Sequence, residues 1–192
     1  MKRLEPIFDI LGLAFWLFLG GVRLAQAWQL RSLTAVLLAA YTGIIVYLLA
    51  GRRSDVAEAP AYQKGIAWVS ALLPLALELR RPTSWTATSL AILGMLVAMW
   101  SMLNLGKAFG IAPADRGLMR SGPYRFLRHP MYAGESLVVL AAVWGSWSLW
   151  NMAVLAILLA TVVARIRWEE RAFRGYRGYA CQVRWRMLPG VW

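Results

Sequence analysis

Apolar residues run along this chain in long blocks separated by short polar and basic breaks. That is the pattern of membrane-crossing helices, not of a soluble fold with one polar face per element. The blocks cover about 7–26, 33–50, 65–79 and 84–103, followed by an almost unbroken run from 131 to 167. The last run is too long for one crossing of a hydrocarbon core ~30 Å thick. Gly145-Ser-Trp-Ser148 interrupts it, which predicts two helices, about 131–145 and 149–167, joined as a hairpin. Pro74 is expected to kink the third block, and Arg80-Arg81-Pro82 to turn the chain tightly. The predicted fold is all-α: a polytopic transmembrane helix bundle of about six spans. Residues 1–103 form an N-terminal bundle of four spans. Residues 104–192 form a region of polar loop, helical hairpin and basic tail.

Composition strengthens the membrane reading. Sixty percent of residues are hydrophobic, and the mean hydropathy is +0.54. The 11 tryptophans and 7 tyrosines suit the headgroup belts at the two interfaces. Met1-Lys-Arg3 before an apolar run also has the look of a signal peptide, with Ala25-Gln-Ala27 as a cleavage-like pattern. Asp9 interrupts that run, so a retained first span is the expectation.

The net charge of +12 would point to nucleic acid in a soluble protein. In a membrane protein, basic connectors set orientation and lie against anionic lipid, so the lipid bilayer, not nucleic acid, is the expected partner. The basic residues cluster in alternate connectors. Arg52, Arg53 and Lys64 share one side with Lys107, Arg116, Arg120, Arg125 and Arg128, and with a tail holding seven arginines from Arg165 to Arg186. Only Arg23, Arg31, Arg80 and Arg81 fall opposite. The positive-inside rule therefore places both termini, the second connector, the polar loop and the tail in the cytoplasm. One cysteine and one histidine exclude an internal disulfide and make a transition-metal site an unsuitable reading.

The polar island Ser121–Tyr132 (SGPYRFLRHPMY) stands out against this background. Its two prolines push Gly122 and His129 out of helical geometry. Pro130 can nonetheless open a helix, since its missing N–H falls among first-turn donors that have no partner. Met131, Tyr132 and Ala133 would then present N–H groups to an anion such as a carboxylate. The hairpin returns the chain to the same membrane face at Arg165-Ile-Arg-Trp-Glu-Glu-Arg171. His129 and Tyr132 should thus meet Arg165, Glu169 and Glu170. Arg165 and Glu169 lie one helical turn apart on one face. These residues alone also fit a solvated helix end with an Arg–Glu pair. His129 fits either a general base or a helix-start residue. Tyr176, Tyr179, Trp185 and Trp192 read first as interfacial anchors.

Gly122-Pro-Tyr-Arg-x-x-Arg-His-Pro-x-Tyr132 resembles the signature of the isoprenylcysteine carboxyl methyltransferase family, whose related sequences include bacterial membrane methyltransferases and phospholipid N-methyltransferases. The resemblance continues through the hairpin, Glu169-Glu170, Tyr176-x-x-Tyr179 and Arg186-Met-Leu-Pro-Gly190, covering about 104–192. It implies S-adenosylmethionine as methyl donor, bound in a cytoplasmic C-terminal site without a Rossmann domain. The sequence holds no Gly-rich loop after a strand. The implied cofactor-binding residues are Arg116, Gly117, Leu118, Met119, Tyr124, His129, Pro130, Met131, Tyr132 and Glu169. Arg165, with Glu170 beside it, is implied to face the methyl acceptor and is the implied catalytic residue.

Those roles are physically sensible. A helix start at 131–133 suits the donor's carboxylate, and Glu169 suits its ammonium or ribose hydroxyls. Tyrosine faces favour a sulfonium, and an arginine clamps an acceptor carboxylate. The acceptor is lipophilic or small: a prenylcysteine-like carboxylate, a thiol or a lipid amine. A carboxylate or thiolate needs no obligatory base, whereas an amine must lose a proton, which would call on His129 or a carboxylate. One departure is a shorter stretch between Glu170 and Tyr176, carrying Gly175 with Gly178 just beyond. The competing readings are a membrane reductase of the sterol-reductase type, using NADPH, and a non-enzymatic membrane scaffold.

Overall fold

The computed structural model describes residues 5–51, 59–78, 84–111, 117–172 and 175–192, with side chains from residue 10 onward. The expected turn at Arg80-Arg81-Pro82 and the candidate Arg116 lie outside the described residues. Those described are helical, with no strand among them. The chain divides into two compact units, Met1–Arg52 and Arg53–Trp192.

The first unit is a pair of helices, α1 (Glu5–Leu30) and α2 (Leu33–Ala50). The turn between them is short. Arg31 takes a left-handed φ of 44° and donates its N–H to the Ala27 carbonyl. Ser32 then caps α2, its hydroxyl accepting the Ala35 N–H at 3.3 Å. Leu17, Phe18, Leu24 and Val36 remain exposed, as lipid-facing helices require.

The second unit begins with α3 (Ala61–Leu72), which passes into a 3₁₀ turn at Leu73–Ala76. Pro74 explains the change: it has no N–H to return to Ser70, four residues back, so the α-helix cannot continue. The long α4 (Trp85–Leu105) comes next, capped by Ser84. The island forms a 3₁₀ turn at Gly122–Arg125. Pro130 then opens α5 (Pro130–Gly145), with non-helical His129 before it, as the proline spacing predicts. A break at 146–148 leads to α6 (Leu149–Ala172), so the long apolar run does fold as two helices. A short α7 (Tyr176–Gln182) starts at Gly175, whose φ of 73° lets the chain turn sharply out of α6.

Each of the six expected spans corresponds to one helix. Four of them, α1, α2, α4 and α6, are long and apolar enough to cross a membrane. The protein is therefore an integral membrane helix bundle. The other two are shorter, α3 with 12 residues and α5 with 16. At 1.5 Å per residue α5 reaches only about 24 Å.

Two features hold α5 in place. At its crossing with α4, a Cβ on Gly134 would lie 2.6 Å from both the Ala98 nitrogen and the Gly94 carbonyl oxygen. Only glycine allows that approach of backbones, which gains dispersion contacts where lipid offers no hydrophobic drive. At the hairpin turn, fully buried Asn151 pairs with the backbone of Glu78, just after the Pro74 turn. Its Nδ2 donates to the Glu78 carbonyl at 2.9 Å and its Oδ1 accepts the Glu78 N–H at 3.0 Å. Nδ2 also donates to the Ser146 carbonyl at 2.6 Å. Trp150 Nε1 donates to the Ala76 carbonyl at 2.8 Å. The hairpin turn and the segment after α3 thus share one end of the unit. The island, the end of α6 and α7 gather at the other.

Candidate active site

At that second end the island folds against the last turn of α4. Gly122 takes a φ of 56°, and a Cβ there would meet the Asn104 amide at 2.3 Å. The loop before α5 is held by the tail. Arg128 N–H donates to the Trp185 carbonyl at 2.9 Å, and His129 N–H to the Arg186 carbonyl at 2.8 Å. The tail closes on itself, with the Trp192 carbonyl accepting from the N–H groups of Arg186, Met187 and Leu188. One expectation changes at the start of α5: the Ala133 N–H already donates to the His129 carbonyl, so the anion-ready donors narrow to Met131 and Tyr132.

These segments line a cleft that is partly open to solvent. Its walls are the end of α4 and the stretch just beyond it (Leu105, Ala108, Gly110), the strip Gly117-Leu-Met119, Tyr124, Arg128, His129, Met131, Tyr132, Glu169, Tyr176 and Tyr179. The cofactor candidates named from the sequence therefore converge on one space. The exceptions are Arg116, outside the described residues, and Pro130, which is buried and opens α5 without lining the cleft.

His129 is central to the packing and 6% exposed. Its ring stacks between Tyr132, 5.9 Å away by centroid, and Tyr176, 6.5 Å away. Nδ1 lies 3.7 Å from Glu169 Oε2, while Nε2 lies 3.4 Å from Glu170 Oε1 and 3.3 Å from the Tyr176 hydroxyl. The Tyr132 hydroxyl donates to Glu169 Oε1. The two adjacent glutamates are thus read by different partners, Glu169 from the cleft side and Glu170 from the tail.

Glu170, expected next to the acceptor, is occupied by the tail. Arg186 engages both of its oxygens, Tyr176 donates to it at 2.8 Å, and Arg128 Nη1 lies at 3.2 Å. That pairing holds the Arg186 guanidinium above its usual pKa. Arg165 does not line the cleft. It is 4% exposed, with Nη2 donating to the Ile111 carbonyl at 2.8 Å and Nη1 to Ser70 at 3.3 Å. Its Cζ lies 4.7 Å from the Tyr132 ring centroid. Instead of standing open to an acceptor, it backs the tyrosine.

The tail tyrosines, read first as interfacial anchors, are site walls. Tyr176 and Tyr179 are buried and pack with Val183 and Leu118. The Tyr179 hydroxyl donates to the Tyr124 carbonyl at 2.7 Å, tying α7 to the island. Burial pushes the Tyr179 phenol up to about 12 and raises Tyr176, where adjacent Glu170 adds to the effect. Burial also raises Tyr124. All three stay neutral donors at ordinary pH. Their signal in the sequence was the i, i+3 spacing of Tyr176 and Tyr179, which puts both on one helical face. The shorter stretch before Tyr176 does not prevent closure, because Gly175 makes the turn. The long pairing of Arg186 with Glu170 carried no local signal.

The described residues hold no His, Cys, Asp or Glu cluster of metal-binding type. A family model described as phospholipid methyltransferase matches residues 82–176. No curated protein matches the chain.

Proposed function

We propose, for a chain whose residues 82–176 match the phospholipid methyltransferase family model, that the cleft binds S-adenosylmethionine and that methyl transfer takes place at its membrane-facing mouth. That the protein is a membrane methyltransferase follows from the family and from its four membrane-length apolar helices. The donor, the site residues and the acceptor are the proposal. The observation that supports it best is the meeting of the strip 117–119, Tyr124, His129–Tyr132 and Glu169 around one cleft, from segments far apart in sequence.

The residues present fit the donor. When bound, it supplies an electrophilic methyl on a sulfonium. The rings of Tyr124, Tyr176 and Tyr179 offer a cation-favouring lining. Glu169 accepts hydrogen bonds from an ammonium or from hydroxyls. Arg128 and the start of α5 suit a carboxylate. Glycines at 110 and 117 allow close approach of the backbone. His129, stacked between two tyrosines and near both glutamates, orients these walls and positions the cofactor.

Displacement at a methyl carbon mainly requires two partners held in line, worth several orders of magnitude in effective concentration. A rigid aromatic cleft beside the bilayer supplies that. The acceptor is a lipophilic or small molecule: a prenylcysteine-like carboxylate, a thiol or a lipid amine. The sequence charge pattern puts the cleft and both termini in the cytoplasm. Residues 104–192 carry the methyltransferase site, with the end of α4 as one of its walls.

The test has two stages. Titration of the detergent-solubilised protein with S-adenosylhomocysteine and, separately, NADPH is followed by thermal unfolding. Stabilisation by the first alone is expected, and stabilisation by NADPH alone overturns the reading. Methyl transfer from labelled donor to lipid extracts and prenylcysteine analogues then identifies the acceptor.

A further inference from the structure

We infer that Ser70, on α3, is a positioning residue of this site, acting through Arg165 to hold Tyr132 against Glu169. Ser70 lies outside the residues matched by the family model, on a helix that the sequence presents only as a short membrane span.

Arg165 is a buried cation, 4% exposed, and its neighbours Ser70 and Tyr132 are 3% and 2% exposed. A guanidinium taken out of water is costly unless its donors find acceptors in good geometry. Two of its nitrogens meet acceptors on different elements. Nη1 faces the Ser70 hydroxyl at 3.3 Å, and Nη2 faces the Ile111 carbonyl at 2.8 Å. Because the group is planar and rigid, two acceptors fix its plane. The plane so fixed places Cζ 4.7 Å from the centre of the Tyr132 ring.

Tyr132 in turn donates its hydroxyl to Glu169, and both residues line the cleft. Ile111 directly follows Gly110, another part of that lining. One buried arginine therefore joins α3, the strip after α4, and α5. Ser70 sits four residues before Pro74, where the α-helix ends. The hydroxyl is thus presented from the last regular turn of α3, next to the segment that Asn151 fastens to the hairpin turn. Without Ser70 the guanidinium loses its α3 acceptor, and its plane is held less firmly over the Tyr132 ring.

The inference rests on the reading of the cleft as a donor site, and its test separates the two. Binding of S-adenosylhomocysteine to the full chain is measured by calorimetry, at a temperature where ligand-free unfolding shows each variant folded. Ser70→Ala should weaken binding about three- to thirtyfold, the part of one hydrogen bond to a charged group that is felt in the cleft through Arg165 and Tyr132. Ser70→Thr, which keeps the hydroxyl, should restore most of it. Arg165→Met should weaken binding at least as much as Ser70→Ala, and adding Ser70→Ala to Arg165→Met should then cost nothing further. Wild-type binding that Ser70→Ala leaves within twofold overturns the inference alone. So do losses from the two substitutions that simply add. Failure of the wild type to bind overturns the donor reading, and the inference falls with it.

Discussion

Arg186 grips Glu170 side-on, with Nε 2.8 Å from Oε1 and Nη2 2.9 Å from Oε2. Glu170 belongs to the end of α6 and Arg186 to the tail, and Arg186 also lends its backbone carbonyl to the N–H of His129. One residue therefore fixes both the tail and the histidine at the mouth of α5. Arg186→Met should release the tail and cost about 2 kcal/mol, less than for a fully buried pair because Arg186 is 31% exposed. Arg186→Lys should not restore it, since a single ammonium cannot make the two-pronged contact. Calorimetric binding of S-adenosylhomocysteine, with urea unfolding alongside, reads both effects. Full rescue by lysine would show that charge alone suffices.

Gly134 is predicted to tolerate no side chain. Its missing Cβ would lie 2.6 Å from backbone atoms of α4, and backbone cannot rotate away as a side chain can. Gly134→Ala should part α4 from α5 and lower stability by about 1–3 kcal/mol or more. Gly178→Ala is the control, because nothing lies within 4 Å of a Cβ there. Thermal unfolding in detergent should show a clear drop for the first and little change for the second. Equal drops would mean that the close approach at Gly134 does not set the effect, since helix propensity alone favours alanine at both positions.

Asn151 makes the opposite kind of prediction, a loss of stability that spares the site. It satisfies the Glu78 N–H and carbonyl at the end of the unit away from the cleft. Asn151→Leu should leave those backbone groups without this partner and cost about 2–4 kcal/mol. Affinity for S-adenosylhomocysteine, measured below the unfolding transition, should stay within about twofold of the wild type. A larger loss of affinity would mean that the hairpin turn communicates with the cleft.

Much of this arrangement was legible in the sequence, for physical reasons. Pro130 announces the start of α5 because proline's chemistry is local. Gly145–Ser148 announces the hairpin because a bilayer limits helix length. The meeting of His129 and Tyr132 with Glu169 follows from that hairpin alone. What the sequence did not disclose is of another kind. Helical spacing put Arg165 on the same face as Glu169, but could not say that Ser70, 95 residues away, and the Ile111 carbonyl would turn it behind Tyr132. Glu170 was expected beside the acceptor, and the tail, folding back, engages it instead. Tyr176 and Tyr179 read as interfacial anchors because aromatic residues near a membrane have that role by default. Long-range pairing, invisible to periodicity, decides each of these.

Tyr179 gives a pH dependence with a definite sign. Its hydroxyl holds the Tyr124 carbonyl, and burial raises the phenol from its ordinary value near 10 to about 12. The folded state therefore keeps this proton over a range in which the unfolded chain releases it. The resulting stabilisation is fully present below pH 10 and is lost as pH rises through about 12. Comparison of wild type with Tyr179→Phe by denaturant unfolding isolates the contribution. The stability difference between them should be flat from pH 7 to about 9.5 and should change only above that. A difference that titrates near neutrality would place the proton on another group.

His129 separates two ideas of the site. Stacked between Tyr132 and Tyr176, with ring nitrogens near both Glu169 and Glu170, it joins three walls of the cleft to the glutamate that the tail holds. A positioning role means that removing the ring disturbs those walls before any chemistry begins. His129→Ala should then weaken S-adenosylhomocysteine binding by about tenfold or more, as loss of a buried stacked ring at a hot spot does. A general base would act only when an acceptor proton must leave, so its removal would leave donor affinity near wild type and lower kcat alone. His129→Gln sharpens the comparison, since an amide can keep a hydrogen bond to one glutamate but cannot act as a base of useful strength. Partial recovery of affinity in His129→Gln, with kcat recovering alongside, is the expected result. Recovery of affinity without any recovery of kcat would assign the proton transfer to His129 and mean that the acceptor must lose a proton, as an amine or a protonated thiol does.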